Sequence, residues 1–139
     1  MLTRVLVAMD DSEVAEQALR YALEVHPEAD VTVLTVVGGP SGMLGDAMSL
    51  AVADDFEESA NERARPVLER ARAIAAESER EIDTEVGAGH PAREILDRAE
   101  DFETIVVGSH GGSLADRVFV GNVADKVVRG SPVPVTVVR

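Results

Sequence analysis

Residues Thr104–Ser131, TIVVGSHGGSLADRVFVGNVADKVVRGS, decide how the rest of the chain is read. Ile105, Val106 and Val107 form a short apolar run that stops on Gly108, as a buried strand does. A loop with Gly108, Gly111 and Gly112 among small polar residues follows, then Gly121-Asn122, then an amphipathic helix. Glycines let backbone N–H groups approach a ligand closely. A helix N-terminus adds unpaired donors and the positive end of a dipole. Together they suit an anion, at the spacing Gly108-x2-Gly111-x9-Gly121. The plainer alternative is a glycine-rich turn with Asn122 as a helix cap.

Working outward, strand and helix alternate along the whole chain. Leu2–Met9 is nearly continuous in apolar residues near its end and reads as a buried parallel strand. Asp10-Asp11-Ser12 then caps a helix whose inner face is Val14, Ala15, Ala18, Leu19, Ala22 and Leu23, and His26-Pro27 ends it. Val31–Val37 is a second strand, followed by a glycine-rich loop over 38–52, long enough to suggest a role of its own. A long helix is expected from about Asp54 to Glu79, kinked at Pro66, which removes a donor and crowds the preceding turn. Ile82–Gly87 is a third strand. Pro91 opens a helix with Ile95, Leu96, Ala99 and Phe102 inward. The last helix turns Val123, Ala124, Val127 and Val128 inward, and Val133–Val138 is a fifth strand. Such alternation gives an α/β fold, a doubly wound parallel sheet with helices on both faces, in one domain over 1–139.

Composition narrows the function. There is no cysteine, so disulfides and thiolate metal sites are excluded. No stretch approaches the ~18 apolar residues of a membrane span, and Met1-Leu2-Thr3-Arg4 leads straight into a strand, so a cytoplasmic protein is expected. Asp and Glu total 26 against 13 Lys and Arg, a net charge of −13 that opposes non-specific nucleic-acid binding. Twelve of the 13 basic residues are Arg; Lys126 is the exception. Acid excess with almost no lysine points to a salt-adapted protein, in which a Debye length of ~3 Å at molar salt screens self-repulsion; the plainer alternative is an ordinary acidic mesophilic protein from an arginine-preferring genome.

The glycine spacing resembles the signature of the universal stress protein family, Gly-x2-Gly-x9-Gly-(Ser/Thr), with Asn122 in place of the Ser or Thr. The resemblance extends over nearly the whole chain and implies a strand order of 3-2-1-4-5. Strands 1 and 4 then lie side by side where the winding reverses, which is where doubly wound sheets bind ligands. In ATP-binding members that loop wraps ribose and phosphates. The resemblance therefore implies ATP, with Mg²⁺ as an accompanying ion, held by Ala8 and Asp10 after strand 1, Val36 on strand 2, and Gly89 and Pro91 after strand 3. Gly108, Ser109, His110, Gly111, Arg117, Gly121, Asn122 and Val123 complete the expected nucleotide site. It also implies a homodimer through Val133–Val138, an apolar edge that Pro134 would partly blunt.

Other motifs carry less. Gly87-Ala88-Gly89-His90-Pro91-Ala92 fits a dinucleotide fingerprint in form, but it follows the third strand, and Pro91 lacks an N–H that a pyrophosphate would use. Lys126 lies in no Gly-Lys-Ser/Thr context, and His26, His90 and His110 have no metal-ligand spacing. Asp10, Asp11 and Asp116 are carboxylates without a recognisable way of positioning an attacking water, so no catalytic residues are assigned. The reading is an adenine-nucleotide-binding stress-response or regulatory protein. The alternatives are a stress protein acting through its surface without nucleotide, and a weak ATPase.

Overall fold

The computed structural model describes residues 3–38, 53–109 and 121–139, with backbone alone for 53–56. Five strands, β1 (Arg4–Ala8), β2 (Asp30–Val37), β3 (Asp83–Ala88), β4 (Thr104–Gly108) and β5 (Val135–Val138), form one sheet in the order β3-β2-β1-β4-β5. Every pairing is parallel. The connecting helices are α1 (Glu13–Val25), α2 (Ala53–Glu77), α3 (Pro91–Arg98) and α4 (Asn122–Gly130). The doubly wound sheet and its order agree with the expectation.

Side chains alternate across the strands, so each strand feeds two cores. Val5, Val7, Val31, Val33 and Val106 pack with α1 and α2 on one face. Leu6, Leu34, Ile105 and Val107 pack with α3 and α4 on the other. At roughly 1.5–3 kcal/mol for each Val or Leu fully buried, these two aliphatic layers are the main stabilising term in a protein with few aromatic residues.

Local chemistry sets the helix ends. Ser12 caps α1: its Oγ accepts from Ala15 N–H at 3.2 Å, and Asp10 Oδ1 accepts from Ser12 N–H at 2.9 Å. Arg70 of α2 donates to Glu16 of α1 at 2.9 Å; that hydrogen bond first, and the Glu16 charge second, raise the Arg70 pKa. α2 continues through Pro66 and stops at Glu77, two residues short of the expected end. Glu79 then takes φ 56°, and Arg80 N–H donates back to Ala75 C=O at 2.9 Å, closing the helix as a glycine usually would. The Arg80 guanidinium donates to the carbonyls of Leu23, His26 and Ala29, tying the end of α1 to the start of β2.

Several boundaries differ from the sequence reading. The helix opened by Pro91 gives way to a tight turn at Ala99–Asp101, and Phe102 reaches the core from extended backbone. On α4, Ala124 and Val127 face inward as expected, but Val123 and Val128 are exposed by 37% and 49%. A short helix on one face of a sheet has room for only a narrow buried stripe. β5 starts at Val135 rather than Val133, since Pro132 and Pro134 cannot donate to a ladder.

Pro134 does not blunt the free edge. Its C=O accepts from Ile105 N–H at 3.0 Å, and Val138 C=O accepts from Ser109 N–H at 2.7 Å. Even-numbered residues of β5 therefore turn their backbone groups toward β4, and the missing N–H of Pro134 lies on that inner side. The N–H and C=O groups of Val135 and Val137 point outward from the sheet. Among the described residues, no helix is long and apolar enough to cross a membrane.

Candidate functional site: a cleft at the winding reversal

The C-terminal ends of β1, β2 and β4 and the N-termini of α1, α3 and α4 enclose a cavity of ≈ 290 Å³. Its floor is the core itself: Leu34, Ile95, Val107 and Ala124 are buried and form the base. Polar groups lie at the rim, Asp10 on one side and Gly121-Asn122 on the other. An apolar slot with a few polar groups at its mouth is the usual form of a small-molecule site.

Two backbone features give the slot its chemistry. The first is on β2. The β1–β2 ladder ends at Ala8↔Leu34, with Met9 N–H donating to Leu34 C=O at 2.9 Å. Val36, two residues on, turns its N–H and C=O to the same side, where β1 has given way to the turn before α1. Among the described residues neither group has a backbone partner. A donor and an acceptor from one residue thus face the cleft.

The second feature is the N-terminus of α4. Gly121 occupies the cap position, with φ −65° and ψ 162° and no side-chain hydrogen bond. Asp125 N–H is the first to bond within the helix, to Gly121 C=O at 2.9 Å. The N–H groups of Asn122, Val123 and Ala124 precede it, and nothing among the described residues caps them. The contrast with α1 is informative, because the Ser12 hydroxyl already takes one of that helix's first N–H groups, that of Ala15. Asn122 is therefore the first helical residue and not the cap, which sets aside the cap role given to it in the plainer alternative.

Close packing brings these parts together. A Cβ on Gly108 would stand 3.0 Å from Val14 Cγ1, so glycine lets α1 lie against the end of β4. Gly89 has φ +112°, a conformation that favours glycine, and turns the chain from β3 into Pro91 at the start of α3.

Of the expected residues, Ala8, Asp10, Val36, Pro91, Gly108, Gly121, Asn122 and Val123 line the cavity. Gly89 and Ser109 do not. Gly89 N–H donates to Val37 C=O, and buried Ser109 joins β5 to Gly121 through its backbone. His110, Gly111 and Arg117 fall outside the described residues, as does the 39–52 part of the expected loop. Sequence reasoning passed over the floor and the inner wall, where Met9 and Ala15 also lie. Two signals were available: Leu34 shares a strand face with Val36, and Ile95 lies one helical turn after Pro91. Among the described residues no group of three or more His, Cys, Asp or Glu is placed to hold a metal ion.

The fold, the cleft and the glycine spacing converge on one family, whose model, the universal stress protein family, matches residues 1–139. The chain belongs to the universal stress protein family. Universal stress protein YxiE of Bacillus subtilis is 30% identical over 150 residues, covering 100% of both chains. The structure of universal stress protein UspA from Lactobacillus plantarum is 29% identical with a TM-score of 0.72, covering 99% of this chain and 97% of that one. The universal stress protein from Archaeoglobus fulgidus, solved in complex with dAMP, has the same fold at 24% identity and a TM-score of 0.62, covering 100% of this chain and 98% of that one.

Proposed function

We propose that this universal stress protein binds an adenine nucleotide, ATP included, in the cleft between β1 and β4 and acts as a nucleotide-responsive regulator. The observation that carries the reading is the pairing, across one apolar slot, of two sets of backbone groups that have no partner among the described residues. At one end Val36 offers an N–H and a C=O, the complement of the N1 acceptor and N6 donor of adenine. At the other end α4, which nothing among the described residues caps beyond Gly121 itself, offers N–H groups and a dipole to phosphate. The aliphatic floor takes the faces of base and sugar, and Asp10, with one carboxylate oxygen held by Ser12 N–H, has the other for a ribose hydroxyl. The dAMP complex of the Archaeoglobus relative supports the choice of nucleotide. A Mg²⁺ ion would screen the charge of bound phosphates against a protein of net charge −13.

The working form in this reading is a homodimer paired through β5. Its outward backbone groups are flanked by apolar side chains. Tyr21 and Val25 of α1 are 38% and 48% exposed. At about 100° per residue they lie on the flank opposite Glu16 and Arg20, which pair with α2. Val128 of α4 turns away from Gly130, which abuts Leu96 of α3. A two-fold contact would bury this rim in both copies.

The test is calorimetry with ATP, ADP, AMP and adenosine in molar salt, on the wild type and on Gly121→Val. The β-branched side chain crowds the phosphate end, and a loss of about 10-fold or more in ATP affinity is expected. Unchanged affinity in that variant would refute the phosphate placement. No binding of any adenine nucleotide by the wild type would refute the function.

A further inference from the structure

Ser109 lies between the two surfaces that the proposed function uses. Its N–H donates to Val138 C=O at 2.7 Å, on the last residue of β5, and its C=O accepts from Gly121 N–H, at the cap of α4. Only the two soft torsions of one buried residue separate these bonds. The other end of the same unit is also tied. Ser131 N–H donates to Val127 C=O at 2.9 Å. Ser131 Oγ accepts from Val133 N–H at 3.0 Å, and Pro134 C=O accepts from both Ile105 N–H and Thr104 Oγ. With Pro132 and Pro134 in the connection, α4 and β5 are joined by a short stiff segment at one end and by Ser109 at the other.

We infer that occupancy of the cleft controls how firmly β5 is docked on the sheet, so that the edge strand reports the nucleotide state to whatever pairs with it. The inference rests on the nucleotide reading above. A phosphate bonded to the first N–H groups of α4, which have no partner among the described residues, holds Gly121 in its cap conformation. Gly121 then holds the Ser109 carbonyl, and Ser109 holds the end of β5. An opening that releases β5 must disturb the cap, so it must also release the phosphate. The coupling is reciprocal: pairing that holds β5 in place raises nucleotide affinity by the same factor.

Hydrogen exchange on the full chain, with and without AMP, tests this without requiring a dimer. The informative amides are Ser109, Thr136 and Val138, whose N–H groups face inward between β4 and β5. With AMP at 100 times its Kd, exchange through openings that expel the ligand slows about 100-fold. Amides of β3, at the opposite edge, should slow far less. AMP binding that leaves β5 exchange unchanged, or slows β3 and β5 equally, overturns the coupling and leaves the nucleotide function standing. Calorimetric silence toward AMP, ADP and ATP overturns both. A second measurement uses protein concentration: AMP should bind more tightly to dimer than to monomer, and equal affinity in two resolved species counts against the coupling.

Discussion

Asn122→Asp replaces an amide by a carboxylate of nearly the same shape at the first turn of α4, and its two effects have opposite signs. Asn122 is exposed and precedes the N–H groups of Val123 and Ala124, which nothing among the described residues caps. A negative charge there complements the helix dipole and should stabilise the protein by about 0.3–1 kcal/mol at low salt. For a domain of this size that is a rise of roughly 1–4 °C in Tm. The same charge repels a bound phosphate. Between a carboxylate and a phosphate of nearly two charges about 5 Å apart, in a water-like medium, the repulsion is about 1.5 kcal/mol, or roughly a tenfold weaker Kd for AMP. Adenosine has no phosphate and serves as the control, and its affinity should hold. In molar salt, with a Debye length of ~3 Å, both effects should shrink together. The assay is paired: thermal melting for stability, and calorimetry with AMP and adenosine at low and high salt. An AMP affinity that is unchanged at low salt, or that falls equally for adenosine, would refute phosphate binding at this helix end. A lower Tm would refute the assignment of Asn122 to the first helical position.

Glu79 adopts φ 56° at the end of α2, whose last turn has no basic residue, so Glu79→Gly should relieve both strain and an unfavourable charge and stabilise by about 1 kcal/mol; Glu79→Ala keeps the strain and should recover little, and equal denaturation midpoints for the two variants would count against it. Lowering salt from molar to ~10 mM lengthens the Debye length to ~30 Å and, at a net charge of −13, should lower the melting temperature, whereas a flat or rising value contradicts salt adaptation. Val128→Glu adds a charge to an exposed position on the rim of the proposed dimer, so light scattering should report a dimer for the wild type and a monomer for the variant, with the melting temperature of the monomer nearly unchanged; a wild-type monomer would refute the dimer, and a dimer that persists in the variant would remove α4 from the interface.

The fold was legible because two strong local signals agreed along the chain. Apolar strand runs such as Ile105–Val107 alternate with helices that have clear starts, Ser12 before α1 and Pro91 opening α3. The strand order came from the family resemblance, since nothing in a strand's own residues says which neighbour it takes. The rim of the cleft was legible for the same reasons, as Asp10, Gly108 and Gly121 all lie at element ends. What stayed hidden depends on register. Whether Val36 keeps free backbone groups depends on where β1 leaves β2, and whether Pro134 faces inward or outward depends on which residue it meets on β4. Ser109 was read as a ligand group because it lies inside the motif, but its backbone is already committed to Val138 and Gly121. Val123 and Val128 were placed inward by hydrophobicity alone, a criterion that cannot distinguish a core face from a surface meant for another molecule.

The near-absence of lysine acquires a structural meaning at Arg80. One planar fork there serves the carbonyls of Leu23, His26 and Ala29, and two of them, Leu23 and Ala29, lie at 3.0 Å and 2.9 Å. Lysine at this position would keep the charge but bring a single nitrogen to a task that uses two, leaving part of the corner between α1 and β2 dependent on water. Water is held by surface ions and thinned by salt, so a corner sealed by a guanidinium tolerates changes of solvent that a corner sealed by water would not. Arg70 on Glu16 and Arg98 on both Glu85 and Glu94 follow the same pattern of several donors from one side chain. The bias toward arginine is thus written into the joints between elements, and a lineage drifting toward lysine would have to rebuild those joints one at a time.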